Sequence, residues 1–190
     1  MNSPSVYSEM IRIHSHRWHK FTKTNERAPR CTLADAQFFV ARGHGVAGWP
    51  KFAKHLEALA RASSPVSKFE AAVDAIVSGD AARLELRLSE NPELVRARST
   101  REHRSTLLHY VSASGVEDFR QKTPKNIVEI TKLLMKSGAD VNAESDAYGG
   151  RSTTLGLTAT SWHDNQRQSS SLGFLSEVRL QAGCCARRCG

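Results

Sequence analysis

Gly43-His44-Gly45-Val46-Ala47-Gly48 has the G-x-G-x-x-G spacing that cradles a pyrophosphate when it joins a strand to a helix, because glycines let the backbone approach the phosphates. The stretch before it, Phe38-Phe39-Val40-Ala41, is apolar enough to be that strand. Helical spacing of Leu33, Ala36, Phe39 and Val40 behind a cap-like Thr32 argues instead for a helix, and no second parallel strand follows within the reach of a βαβ unit. The glycines therefore read as a turn between helices. His14, His16 and His19 form an H-x-H-x-x-H string, and Cys184, Cys185 and Cys189 crowd the other end of the chain. Either set has the donor chemistry for a transition metal, but neither has the two separated knuckles of a structural zinc site, so both read as solvated tails. Cys31 with a distant histidine has the elements of a nucleophile pair, yet nothing around it resembles a nucleophile elbow or an oxyanion loop. No carboxylate pair, Ser-Lys or Ser-His arrangement stands out. The sequence thus points away from an enzyme, and it implies no catalytic residue, no cofactor and no metal ligand.

Binding chemistry is better represented. Arg96, Arg98, Arg101, His103 and Arg104 lie close together, shortly before Tyr110. Phe119, Arg120 and Lys122 follow in a polar stretch, and Tyr148 and Arg151 in a Gly-rich one. Arginine and tyrosine are the side chains that tend to anchor interfaces. The candidate partner-binding set is accordingly Arg101, His103, Arg104, Tyr110, Phe119, Arg120, Lys122, Tyr148 and Arg151, an expected surface for an anionic partner.

Elements must hold these residues in place, and composition limits which. The chain has 190 residues with only 7% aromatics, and its apolar residues are mostly Ala, Leu and Val, which suits thin helical layers. Lys and Arg outnumber Asp and Glu by 27 to 19, a formal charge of +8, with much of the excess in the terminal segments. No signal-peptide h-region and no membrane-length apolar run is present, so a cytoplasmic location, thiol cysteines and no membrane partner are expected. Residues 1–31 read as a basic tail. Over 32–62, Thr32 with Asp35 begins a helix to about Arg42, and Trp49-Pro50 begins another with Phe52, Leu56 and Leu59 as its buried stripe. After the linker Ser63-Ser64-Pro65, Ser67 and Glu70 form an S-x-x-E capping box for a helix through Ser78. Gly79 ends it, and Asp80 caps a helix with Leu84 and Leu88 that stops at Asn91-Pro92. The fold class is all-α.

Two further strings give that class a more specific form. Thr106-Leu107-Leu108-His109-Tyr110-Val111 is followed by a turn glycine, Gly115, and by Glu129-Ile130-Thr131-Lys132-Leu133-Leu134-Met135-Lys136-Ser137-Gly138-Ala139-Asp140-Val141-Asn142-Ala143. Thr106 can cap a helix while His109, one turn on, shares its hydrogen bonds. Ile130, Leu133 and Leu134 would bury the second helix, Gly138 would end it in the left-handed conformation, and Asp140 and Asn142 suit a tight turn. These strings resemble the ankyrin repeat family, in a divergent, stand-alone form, with its T-P-L-H-x-A opening and its E-I-V-x-L-L-L-x-x-G-A-D-V-N-A close. Leu107 replaces Pro and Val111 replaces Ala. An insert follows Gly115, in which Thr123-Pro124 would cap the second helix. Thr153-Thr154-Leu155 then opens a third unit 47 residues after Thr106, against roughly 33 in the family. The resemblance implies a short helix-pair solenoid with residues 32–62 as an N-terminal hairpin cap, repeats over 66–161, and an irregular, polar, Cys-containing tail over 162–190. It also implies a protein-binding scaffold or adaptor that works through loop tips and the concave face, without catalysis or cofactor. The alternative is a nucleic-acid-binding protein using the basic tail and the Arg cluster.

Overall fold

The computed structural model describes residues 32–160 together with Gly173, Leu175 and Ser176. The histidine string at 14–19 and the four cysteines lie outside the described residues. Helix α1, Leu33–Gly43, starts from an extended Thr32. Asp35 N donates to Thr32 Oγ1 at 3.2 Å and Thr32 N to Asp35 Oδ2 at 2.9 Å, a reciprocal cap that holds the Asp35 carboxyl below its usual range. The glycine-rich segment follows this helix, not a strand. Its Gly45 takes a φ of +70°, and Val46 N returns to the Ala41 carbonyl at 3.0 Å.

Helix α2, Trp49–Ala60, has Pro50 in its first turn. It buries Phe52 and His55, whereas Leu56 is 39% exposed and Leu59 half-buried, so the expected Phe52, Leu56, Leu59 stripe is rotated toward His55. The cause lies in what the helix meets. Phe52 stacks on His44 with ring centroids 4.8 Å apart, and His55 Nδ1 lies 3.2 Å from Thr100 Oγ1. Ala41, Val46 and Phe52, with Val40 beside them, form a small apolar cluster separate from the main core.

Helix α3, Pro65–Ser78, is capped by Ser64, whose Oγ accepts from Ser67 N at 3.0 Å. This corrects the Ser67/Glu70 box and leaves Glu70 free for another role. Gly79, at φ +81°, reverses the chain into α4, Ala81–Glu90, where Asp80 Oδ1 accepts from Arg83 N at 2.9 Å. A 3-10 turn, Pro92–Val95, follows. The T-L-L-H string forms a second 3-10 segment, Leu107–Ser112, in which all six residues are buried. With no solvent face, it lacks the amphipathic pattern of a surface helix. Helix α5, Ile127–Lys136, starts from Asn126 instead of Thr123-Pro124. Asn126 Nδ2 donates to the Gly79 carbonyl at 2.9 Å, fastening the insert to the α3–α4 turn. Past Gly138, at φ +92°, strand β1, Glu144–Ser145, pairs antiparallel with β2, Ser152–Thr153. Glu144 stands opposite Thr153 and Ser145 opposite Ser152, and α6, Thr154–Thr160, follows.

The architecture is mostly helical, in two rows. Residues 107–112 pack between α3 and α6, while α4 and α5 pack against each other in the second row. The main core lies between the rows. Phe69, Val73, Ile76, Leu84, Leu107, Leu108, Val111, Ile130 and Leu134 are among its larger side chains, with Leu175 fully buried beside them. Among the described residues no helix is long and apolar enough to cross a membrane.

Candidate functional site

The structure divides the predicted partner-binding residues into two groups. Arg101 and Arg120 are buried, Tyr110 is fully so, and His103 is nearly so, so the expectation that these four face a partner is corrected. They meet at carboxylates the sequence reading left out. Glu70, on the core side of α3, pairs with both Arg101 and Arg120. Glu117, from the insert, places Oε1 2.7 Å from Arg101 Nε and 3.0 Å from His103 Nε2, and it accepts from Tyr110 OH at 3.1 Å. Arg120 also reaches Asp74 Oδ1 at 2.7 Å, at the rim of the cluster. Two buried guanidiniums thus face two buried carboxylates, which is why charges can lie this deep.

The electrostatics follow from that balance. Burial alone would push the Glu70 carboxyl up, but the Arg101 and Arg120 guanidiniums outweigh it and hold the group below its usual range. Burial is likewise overcome at Glu117, where the His103 hydrogen bond and the two arginines hold the carboxyl down at about 2. Burial and the Glu117 charge both push the Tyr110 phenol up, so it stays a neutral donor. The cluster is held together by ion pairs and hydrogen bonds to Glu70 and Glu117. Its evident role is to join parts of the fold: Arg101 Nε donates to the His44 carbonyl at 3.0 Å and Glu102 N to the Gly45 carbonyl at 2.9 Å. These bonds attach the hairpin to the helix stack. Phe119, half-buried, adds a ring contact 5.3 Å from His44. Glu70 was legible as a charge on the buried stripe of α3 beside Phe69 and Val73, had the S-x-x-E pattern not absorbed it.

Arg104, Lys122, Tyr148 and Arg151 make up the exposed group. Three of them sit on two loops that stand side by side. Arg98 Nη1 donates to the carbonyl of Arg104 at 2.9 Å and to that of Glu144 at 2.7 Å, and Asp146 N donates to the His103 carbonyl at 2.8 Å. The loops 96–106 and 143–153 are thereby locked together along one edge. Arg104, Tyr148 and Arg151 have φ of 48°, 51° and 58°, the left-handed region that non-glycine residues rarely enter. Tyr148 is 75% exposed, though its hydroxyl is near Ser114 Oγ (3.2 Å) and accepts from Gly115 N (3.3 Å).

His109 anchors the base of these loops. Its Nδ1 accepts from Thr106 N at 3.2 Å, which places the ring proton on Nε2, 3.2 Å from the Ser152 carbonyl. Burial, aided by the Arg98 charge, brings its pKa down to about 4. The folded value lies below the unfolded one, so the unfolded chain takes up a proton first as the pH falls. The stabilisation is complete above about pH 6.5 and is lost as the pH drops toward 4, roughly 3 kcal/mol in all. Urea melts between pH 7 and pH 4 should show this slope, and His109→Asn should flatten it; an unchanged slope in that variant would assign the dependence elsewhere. No family model, no curated protein and no solved structure matches this chain.

Proposed function

We propose that the chain is a protein-binding module of the ankyrin type, an interaction scaffold or adaptor that acts in the cytoplasm without catalysis or cofactor. The observation that carries this reading is the pair of locked loops 96–106 and 143–153 with Arg104, Tyr148 and Arg151 at exposed, left-handed positions. Each such residue costs about 1–3 kcal/mol of local strain, and strain of that kind collects at functional sites. The side chains it presents are the types that anchor interfaces. Support for the ankyrin form comes from the two rows of helical segments, the Thr106–His109 bonds, and the left-handed Gly138 before the Asp140–Asn142 turn, where Asn142 N donates to Asp140 Oδ1 at 2.9 Å. The nucleic-acid alternative has less support, since Arg101 is buried and acidic and basic residues nearly balance over residues 32–160.

Site-directed photo-crosslinking tests the reading in source cells. A photoreactive phenylalanine at Tyr148 should give discrete protein adducts, and the same residue at Leu86, exposed on α4, should not. Adducts of equal yield at both positions, or at Leu86 alone, would sink the reading.

A further inference from the structure

Arg98 stands between two hollows that follow the segment from Val95 to Thr100. On one side Val66, Phe69, Ala97 and Thr100 line a cavity of about 80 Å³; on the other Val95, Arg96, Thr106 and Asp140 line one of about 360 Å³. Arg98 is a wall of both, so the hollows adjoin along its side chain; taken together they make a groove whose first end is apolar apart from the ion-paired Glu70 and whose second end is charged. The groove runs at the base of the locked loops, and Arg98 connects it to their backbone at Arg104 and Glu144.

The charges there are unevenly compensated. Among the described residues, the Arg96 and Arg104 side chains have no hydrogen bond or ion pair. The Arg98 bonds run to backbone carbonyls, which orient a guanidinium without neutralising it. Arg151 is 88% exposed on its side chain and lies 3.6 Å from Glu144, a solvent-screened contact. Of the acids on the same edge, Asp140 has one oxygen on Asn142 N and Glu144 faces Arg151, while Glu102 is paired with Arg42. Among the described residues Asp146 has no side-chain partner, and Asp140, on the wall of the second hollow, has only that backbone N–H, which does not neutralise it. A polyanion of uniform charge would meet these interspersed carboxylates, whereas a peptide can place its acids only where the arginines are.

We propose that this groove takes an extended acidic segment of a partner protein, with carboxylates on Arg96 and Arg98 in the groove and on Arg104 of the loop bonded to Arg98, and one apolar side chain in the hollow beside Phe69. The proposal rests on the binding-module reading and names the chemistry of its partner. A guanidinium suits a carboxylate because it can donate two parallel N–H bonds to it. The apolar hollow sets direction and register, since only one end of the groove accepts a hydrocarbon side chain.

The test is fluorescence anisotropy on the full chain with a labelled peptide of alternating Glu and Gly that carries one Leu. The same peptide with Lys for Glu, and a single-stranded oligothymidylate of matched charge, serve as comparisons. The acidic peptide should bind, and Arg96→Glu and Arg104→Glu should each weaken it about tenfold or more by reversing a contact charge. Arg83→Glu on α4, away from the groove, should leave affinity unchanged. Both target side chains are exposed and without partners, so the variants should melt like the parent, and Arg96→Gln reads the same contact without charge reversal. Affinity indifferent to Arg96 and Arg104, equal weakening by Arg83→Glu, or tighter binding of the Lys peptide or the oligothymidylate would overturn the proposal. Crosslinks at Tyr148 that persist while the acidic peptide fails to bind would remove the acidic partner and leave the binding module standing.

Discussion

Glu70→Gln will lower the free energy of unfolding by about 3–5 kcal/mol, more than any exposed charge in the molecule. Glutamine keeps the shape and one acceptor oxygen but removes the negative charge from a side chain that is 6% exposed and pairs with Arg101 and Arg120. Arg101 then keeps the buried Glu117, and Arg120 is left with only Asp74, 61% exposed on its side chain, at the rim. An uncompensated buried charge is expensive because water cannot reach it. The contrast is Glu102→Gln, which breaks the exposed pair with Arg42 and should cost under about 1 kcal/mol. Urea melts at pH 7 with an unchanged denaturant slope measure both. If the two substitutions cost the same, water screens the Glu70 cluster and its role in joining the hairpin to the stack is minor.

Leu134→Ala comes next, at about 2–5 kcal/mol, the loss of a buried isobutyl group together with the cavity it leaves. Leu134 is fully buried on the face of α5 that meets residues 107–112, whereas its neighbour Leu133 is half-buried. Leu133→Ala should therefore cost clearly less, and thermal or urea melts of the pair measure the difference. Equal costs would mean that α5 is rotated from the orientation described.

These two sites also mark what could be read in the sequence. The burial of Ile130 and Leu134 follows from i, i+4 spacing, and the caps at Thr32, Asp80 and Gly138 follow from rules that span three or four residues. Such features are local, and local chemistry leaves a local pattern. The ionic cluster is not local: Glu70 meets Arg101 and Arg120 from 31 and 50 residues away. Arginine and tyrosine in a polar stretch read as surface, and only the fold shows that Arg101, Tyr110 and Arg120 turn inward. Arg104, Tyr148 and Arg151, expected on a surface, are on one, but their left-handed backbone left no trace in residue type. The start of α5 differs from the sequence expectation for a related reason. Thr123-Pro124 has the chemistry of a helix start, yet the helix begins after Asn126, whose side chain is bonded to the distant Gly79 carbonyl.

The hairpin cluster of Ala41, Val46 and Phe52 does not merge with the main core, and charged and polar groups lie at the junction between them. In evolutionary terms this splits the molecule into two regions that can drift apart. A change of side-chain volume in one cluster needs no matching change in the other, because among the described residues the two buried apolar clusters are separate. Glu70, Arg101, Glu117 and Arg120 are under the opposite constraint, since losing any one leaves its partners charged and buried. Descendants of this chain should therefore vary freely in hairpin packing while keeping or replacing those four residues as a set.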